Sequence, residues 1–367
     1  MKKVLFLILF AFTTIVSSAQ DAPKISLLTF DTGFESYSVF GHTAIRVQNP
    51  NTKQDIVYNY GMFDFDAPNF LLKFIKGELD YRVGIENYKL MLRSYFRDER
   101  QVFEQPLNFS NQQAQEFLDR LEYAYRPENR YYRYGFLHRN CSTELRELIF
   151  SKTEGVNYSS SETNNTYRYY LNNYTKPTPW LKFGINLALG SPIDVKIDSN
   201  DLMFLPDFLS EEVKKATINE RPLSNNKVKL LKNLEPKIAS KWTLTPFILF
   251  SFLFVIMVLG KSNALIKIFT LSAGIGGLII LVISLISAHT EVHYNYNLLW
   301  CNPLYLVSFV LFFTPYKKFQ KIFSILMTLC LFATLGVWFS KIQGYDIAFF
   351  PIVISLLWIN IKQAQAK

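Results

Sequence analysis

Hydrophobic positions along the chain fall into two regimes that meet near residue 242. Before that point, short apolar runs alternate with polar segments. Residues 25–30 and 43–47 are short, apolar-rich stretches, and residues 55–60 alternate around Val57, which predicts three β-strands. Two helical patterns follow. Residues 69–75 place Phe70, Leu71, Phe74 and Ile75 at helical spacing, and residues 112–125 do the same with Phe117, Leu118 and Leu121. Leu145, Leu148 and Ile149 continue a third helical period after Asn140. Residues 152–240 are polar, with Ser159-Ser160-Ser161 and Asn164-Asn165 marking loops.

Beyond residue 242 the pattern changes to five long apolar runs, over residues 242–260, 265–288, 298–313, 322–340 and 347–361. A bilayer core of about 30 Å takes about 20 helical residues. The third and fifth runs are short by that measure, and the fifth contains Pro351. The polar connections still predict five spans. At the other end, Lys2 and Lys3 precede an apolar run over residues 4–12, and Ser17-Ser18-Ala19 follow it. A basic start, a short apolar stretch and small residues at the exit predict a secretory signal peptide. The expected organisation is a signal peptide at 1–19, a periplasmic catalytic domain at 20–175, a lid or linker at 176–241 and a transmembrane helical domain at 242–367.

Charge sharpens that picture. The 367-residue chain has a net charge of +9, which by itself suggests a polyanionic partner. Residues 20–241, however, carry 29 Lys/Arg against 28 Asp/Glu, while residues 242–367 carry 8 Lys against Glu291 and Asp346. An excess confined to the apolar third is no phosphate-binding groove, and nucleic acid is excluded as a partner. With residue 20 outside, Lys261, Lys267, Lys317, Lys318, Lys321, Lys362 and Lys367 all fall in cytoplasmic segments, and the outer loops hold only Lys341. That bias predicts a multi-pass bacterial inner-membrane protein with a periplasmic N-terminal domain. Trp242, Trp300, Trp338 and Trp358 lie near span ends, as interfacial aromatics do.

The chemistry centres on one of three cysteines. Cys330 falls mid-span and Cys301 at the start of the third run, where a Cys141–Cys301 bridge is one alternative in an oxidising compartment. Cys141 lies in the soluble region, directly after Asn140, a good N-cap type. A thiol at a helix start feels the positive end of the helix dipole, which favours the thiolate. Free N–H groups there could stabilise an oxyanion, with Asn140 and Ser142 positioning the nucleophile. A thiol nucleophile needs a base, usually imidazole. Of the four histidines, His42 sits after Gly41 at the start of a predicted strand, and His138 is close enough in sequence to compete for the role. Asn59, on the next strand, is the expected holder of the imidazole, with Asp64 behind it; a simple turn role for Asn59 stays open. Between the second and third runs, His289 and His293 are four apart with Glu291 between them and would share a helix face. A metal needs a third ligand and an open position, so none is assigned. This loop, Asn297 included, either faces the periplasmic domain and binds substrate or is a solvated turn.

The order of histidine on an early strand and Asn-Cys at a later helix start resembles the permuted papain-like enzymes, of which lecithin:retinol acyltransferase is one. The closer resemblance is to the bacterial Lnb family of lipoprotein N-acyltransferases. It is carried by Phe40-Gly41-His42-Thr43-Ala44, the segment Tyr58-Asn59-Tyr60-Gly61-Met62-Phe63-Asp64-Phe65, Pro68-Asn69-Phe70 with Lys73-Phe74, Gly77-Glu78-Leu79-Asp80-Tyr81 and Asn140-Cys141-Ser142-Thr143. His289, Asn295, Asn297, Leu299-Trp300 and Asn302-Pro303 extend it into the C-terminal region. The resemblance implies an α+β permuted papain-like periplasmic domain followed by an all-α transmembrane bundle of about five helices. It implies acyl transfer from a membrane phospholipid through a Cys141 thioester to the α-amine of a diacylated lipoprotein, with Cys141, His42 and Asn59 catalytic and no cofactor or metal. Tyr60, Asp64, His138, His289, His293 and Asn297 are the substrate-binding expectations. A membrane-anchored cysteine peptidase or amidase of NlpC type would use the same Cys and His, though it needs only one anchor. A non-catalytic scaffold is the third alternative.

Overall fold

The computed structural model describes residues 21–64, 66–231, 234, 244–260 and 262–365. The expected signal peptide, Trp242, Lys261 and Lys367 lie outside the described residues.

The N-terminal part is an α/β domain built on an antiparallel sheet. Strands β1 (Lys24–Phe30), β2 (His42–Asn49) and β3 (Gln54–Met62) form where the alternating apolar runs predict them. Helix α1 (Phe70–Lys76) and strand β4 (Asp80–Asn87) follow, then α2 (Tyr88–Arg97), β5 (Val102–Pro106), α3 (Asn111–Tyr125) and β6 (Tyr131–Arg133). Helix α4 (Cys141–Arg146) runs into a π-helical turn at Glu147–Ser151. Beyond it come β7 (Val156–Asn157), β8 (Glu162–Thr166), α5 (Tyr167–Tyr174), α6 (Pro179–Ala188), β9 (Lys196–Asp198), α7 (Ser199–Leu202), α8 (Pro206–Lys215), β10 (Thr217–Ile218), β11 (Arg221–Pro222) and β12 (Val228–Lys229). The main sheet has seven strands in the order β12-β5-β1-β2-β3-β4-β6.

Alternation along the strands gives the sheet two buried faces. Ile25 and Leu27 of β1 pack with Phe117, Leu118 and Leu121 of α3 and Leu145 of α4 on one face. Leu28 and Phe30 pack with Tyr88 and Met91 of α2 on the other. The segment expected as a lid or linker is largely part of this body. Leu209 and Val213 of α8 join the first core, and β12 pairs with β5 at the sheet edge.

The C-terminal part is helical: α9 (Pro246–Gly260), α10 (Asn263–Ile286), α11 (Tyr305–Leu311), α12 (Lys317–Ser340) and α13 (Phe349–Gln365). Only α10 and α12, of 24 residues each, are long and apolar enough to cross a membrane unaided among the described residues. The third predicted run is broken into a 3-10 turn at Tyr296–Leu299 and the seven-residue α11. The break falls at Asn302-Pro303, where proline has no N–H to donate and the Asn302 side chain accepts from Leu304 N–H at 2.9 Å. Pro351 sits near the start of α13, a position where a missing N–H is tolerated.

The two parts are joined by buried polar contacts. Arg168 Nε reaches Asp194 Oδ1 at 2.8 Å, and Asp194 in turn accepts from Gly344 N–H at 3.0 Å. Asn297 Nδ2 donates to Asn186 O at 2.9 Å, and Lys182 pairs with Asp346 at 3.0 Å. Phe183 and Leu187 of α6 pack into the core of the helical part.

Candidate active site

Helix α4 begins at Cys141 because Asn140, itself in extended backbone after the turn closed by Gly135 and Arg139, caps it. The Asn140 Oδ1 accepts from Ser142 N–H at 2.8 Å and Thr143 N–H at 3.0 Å. Thr143 Oγ1 accepts in return from Asn140 N–H at 2.7 Å, completing a capping box. Asn140 Nδ2 also donates to the carbonyls of Phe136 and Phe204, both at 2.9 Å, so this buried amide anchors the helix start to two loops. The cap occupies the N–H groups of Ser142 and Thr143. They are therefore not free oxyanion donors, and the expectation narrows to the N–H of Cys141 itself.

His42 opens β2, opposite Phe30 of β1. Gly41 before it has φ +77°, and an added Cβ would lie 2.8 Å from the Phe30 carbonyl, so only glycine fits this entry. The imidazole Nε2 lies 3.0 Å from Asn59 Oδ1. The Cys141 thiol bonds to the His42 ring and to the Thr43 backbone N–H, with the Ser142 hydroxyl alongside. Burial alone would push the Cys141 pKa up; the adjacent His42 charge and these hydrogen bonds outweigh it and hold the thiol below its usual range. For His42, burial pulls downward, but the Cys141 thiolate and the Asn59 hydrogen bond hold the imidazole above its usual value. Both directions favour a thiolate–imidazolium pair.

Two features of the site carried no clear signal in the sequence. Asn59 Nδ2 donates to Glu86 Oε1 at 2.8 Å, so a carboxylate on β4 stands behind the amide. The second is a β-bulge between Asn59 and Met62, where Asn59 pairs with Gly84 and Met62 with Arg82. Gly61 in the bulge has φ +85°, and the place its Cβ would take is 3.7 Å from Cys141 Cβ, 3.9 Å from Cys141 N and 3.8 Å from the Tyr132 hydroxyl. The Tyr132 hydroxyl is buried with no hydrogen-bond partner among the described residues. Burial and the nearby Cys141 thiolate push its pKa far up, so it remains a protonated donor. The one sequence trace of Tyr132 is its inward register in Tyr131-Tyr132-Arg133, with exposed neighbours on both sides.

The structure thus brings Cys141, His42, Asn59, Asn140 and Ser142 together. It sets His138 and Asp64 apart from them. His138 is exposed and sits edge-on to Tyr167 at 6.1 Å, so it does not compete with His42. Asp64 is exposed and holds its own turn, accepting from Asp66 N–H at 2.9 Å, while Asn59 takes the imidazole. Tyr60 is buried in the core beside Tyr132.

The loop after α10 also departs from expectation. His289 and His293 do not share a helix face, because Thr290–Val292 is a single 3-10 turn with the two histidines as its caps. His289 Nε2 lies 3.1 Å from Phe74 O, and His293 Nε2 lies 3.0 Å from Ser287 O. Asn297 accepts from Trp300 Nε1 at 2.9 Å. His289, through Phe74 O, and Asn297, through Asn186 O, reach across the seam between the two parts, while His293 bonds within its own loop. All three cysteines are free thiols, with Cys301 Sγ 3.4 Å from Ala273 O.

Comparison with known proteins places both parts. Residues 15–173 match the family model described as the Lnb N-terminal periplasmic domain, and residues 238–364 match the Lnb transmembrane domain. No curated protein and no solved structure matches the chain.

Proposed function

From the premise that the chain belongs to the Lnb family, a membrane protein with a periplasmic domain, we propose that it is a lipoprotein N-acyltransferase. The observation that carries this reading is the hydrogen-bonded line from Cys141 through His42 to Asn59 at the start of a capped helix. In this reading the Cys141 thiolate attacks the ester carbonyl of a membrane phospholipid. The tetrahedral oxyanion sits over Gly61, between the Cys141 N–H and the Tyr132 hydroxyl. His42 gives its proton to the leaving alkoxide, a lysophospholipid departs, and an acyl thioester on Cys141 remains. The α-amine of a diacylglyceryl-cysteine lipoprotein then attacks the thioester carbonyl. His42 takes the amine proton as the amide forms, and the thiolate–imidazolium pair is restored. A covalent intermediate suits two membrane-bound substrates, because it separates their visits.

The same reading takes the N-terminal domain as a permuted papain-like unit, with the histidine strand preceding the cysteine helix. It takes residues 1–19 as a signal peptide and the C-terminal helices as five crossings of the inner membrane, with the lysine-rich segments in the cytoplasm. Mass spectrometry of lipoprotein N-terminal peptides tests it. Cells relying on this protein should carry triacylated lipoproteins and lose them with Cys141→Ala. Triacylation at normal levels with that variant, or a changed cell-wall fragment profile without any change in acylation, would overturn it in favour of another chemistry.

A further inference from the structure

Helix α1 has the composition of a buried element and the exposure of a surface one. It reads Phe70-Leu71-Leu72-Lys73-Phe74-Ile75-Lys76, yet none of its residues is buried. Leu71 is 67% exposed, Leu72 50% and Phe74 42%. Of its apolar residues, Phe70 packs partly against the main core, while Leu71, Leu72 and Phe74 stay outside it. Large apolar side chains grouped on a short surface helix mark a contact with something other than water.

What covers this face follows from where the helix is fastened. Its last turn is tied to the end of α10, one of the two helices long enough to cross a membrane. Ser287 Oγ donates to Ile75 O at 2.6 Å, and Ala288 N–H donates to Lys76 O at 2.9 Å. Gly77 closes α1 in the left-handed region, with φ 70°. A Cβ on Gly77 would come within 3.2 Å of Ala288 Cβ, so the two ends are in direct contact. Phe74 lies 6.1 Å from the His289 ring, which bonds back to the Phe74 carbonyl. These contacts fix α1 at the level where α10 leaves the bilayer. The exposed Leu285 and Ile286 at the end of α10 continue the lipid-facing surface of that helix up to the junction. Lys73 and Lys76, on the same helix, suit an interface where long basic side chains keep their charge among headgroups.

We propose that α1 lies in the membrane interface, with Leu71, Leu72 and Phe74 inserted among the phospholipids of the periplasm-facing leaflet. The short chain of α1 sets a shallow depth, at the boundary of headgroups and acyl chains. The inference rests on the membrane domain and not on acyl transfer, so it stands or falls separately from the reaction.

The test uses the full-length wild-type chain in liposomes of phosphatidylethanolamine and phosphatidylglycerol, doped with a phospholipid carrying a photoactivatable diazirine on the upper acyl chain. After irradiation and digestion, lipid adducts are mapped by mass spectrometry. Exposed positions of α10 such as Leu278, Ile279 and Val282 serve as the internal positive control. The expected result is adducts on Leu71, Leu72 or Phe74 at a yield within a few-fold of the α10 positions. Adducts on α10 with none on residues 70–76 would overturn the proposal.

Discussion

Asn59 donates a 2.8 Å hydrogen bond from Nδ2 to Glu86 Oε1, and this bond decides which way its amide faces. A carboxylate only accepts, so the NH2 group must point to Glu86 and Oδ1 must point to His42. An oxygen at 3.0 Å from Nε2 then requires a proton on Nε2, and Nδ1 is left to exchange a proton with Cys141. Glu86 is therefore a positioning residue that sets the tautomer through Asn59. Replacing it by glutamine, which can also donate, removes that constraint. We expect Glu86→Gln to lower turnover about tenfold or more, in the range typical of groups that orient a catalytic side chain. The alkylation profile of Cys141 against pH should shift with it, which a merely structural loss would not produce.

The pH dependence of the thiol follows from the two directions of shift. Cys141 is held below its usual range and His42 above its own. The ion pair exists between the two values. It is lost as pH falls through the depressed Cys141 pKa, when the thiolate takes a proton. It is lost as pH rises through the elevated His42 pKa, when the imidazolium gives one up. Iodoacetamide labelling of Cys141 should begin below the pH at which an ordinary thiol reacts. With His42→Ala, onset should move up past the ordinary value, because burial remains and the charge partner does not.

Tyr132 offers a buried hydroxyl across Gly61 from Cys141 N that, like the Ser142 hydroxyl, lacks a hydrogen-bond partner among the described residues. Losing one oxyanion donor typically lowers kcat by about 10^2 to 10^3. Tyr132→Phe should show a loss of that order in single-turnover acylation, with thiol alkylation unchanged because the nucleophile is untouched. Gly61→Ala should be at least as damaging, since φ +85° strains any L side chain and the new methyl would occupy the space over Cys141.

Arg168 is only 4% exposed at its side chain and holds Asp194, itself 9% exposed, at the seam between the two parts. Its Nη1 reaches Asn186 Oδ1 at 3.0 Å and its Nη2 the Gly190 carbonyl at 2.7 Å. Removing one partner of a buried pair leaves the other uncompensated, at about 3–5 kcal/mol. Arg168→Ala should lower the thermal midpoint of the detergent-solubilised protein markedly while leaving Cys141 alkylation in the surviving folded fraction unaltered.

How far the sequence could be read depended on the range of the interaction. Strands at 25–30, 43–47 and 55–60 and the cap at Asn140 are local patterns, and each appears within a residue or two of its expected place. The pairing of His42 with Cys141 was legible because so few chemical partners exist for a thiol in this chain. Glu86 and Tyr132 were not, because their roles arise from β4 pairing with β3 and β6, a register that no local period encodes. The same holds for β12, two exposed residues that join the sheet through β5. Helical spacing marks the apolar residues of α1, but periodicity does not say what meets them, and Leu71, Leu72 and Phe74 are exposed. The His289–His293 spacing suggested a helix, but His293 leaves the turn in extended backbone, at φ −74° and ψ 166°.

In the proposed reaction Cys141 carries the acyl group. Intact-mass and peptide mass spectrometry of the purified full-length protein, incubated with phospholipid and no lipoprotein acceptor, tests it directly. The expected result is one acyl chain on the Cys141 peptide, released by neutral hydroxylamine, absent with Cys141→Ala and discharged when a diacylated lipopeptide with a free α-amine is added. An unmodified Cys141 in a preparation that still produces N-acylated lipopeptide would contradict it.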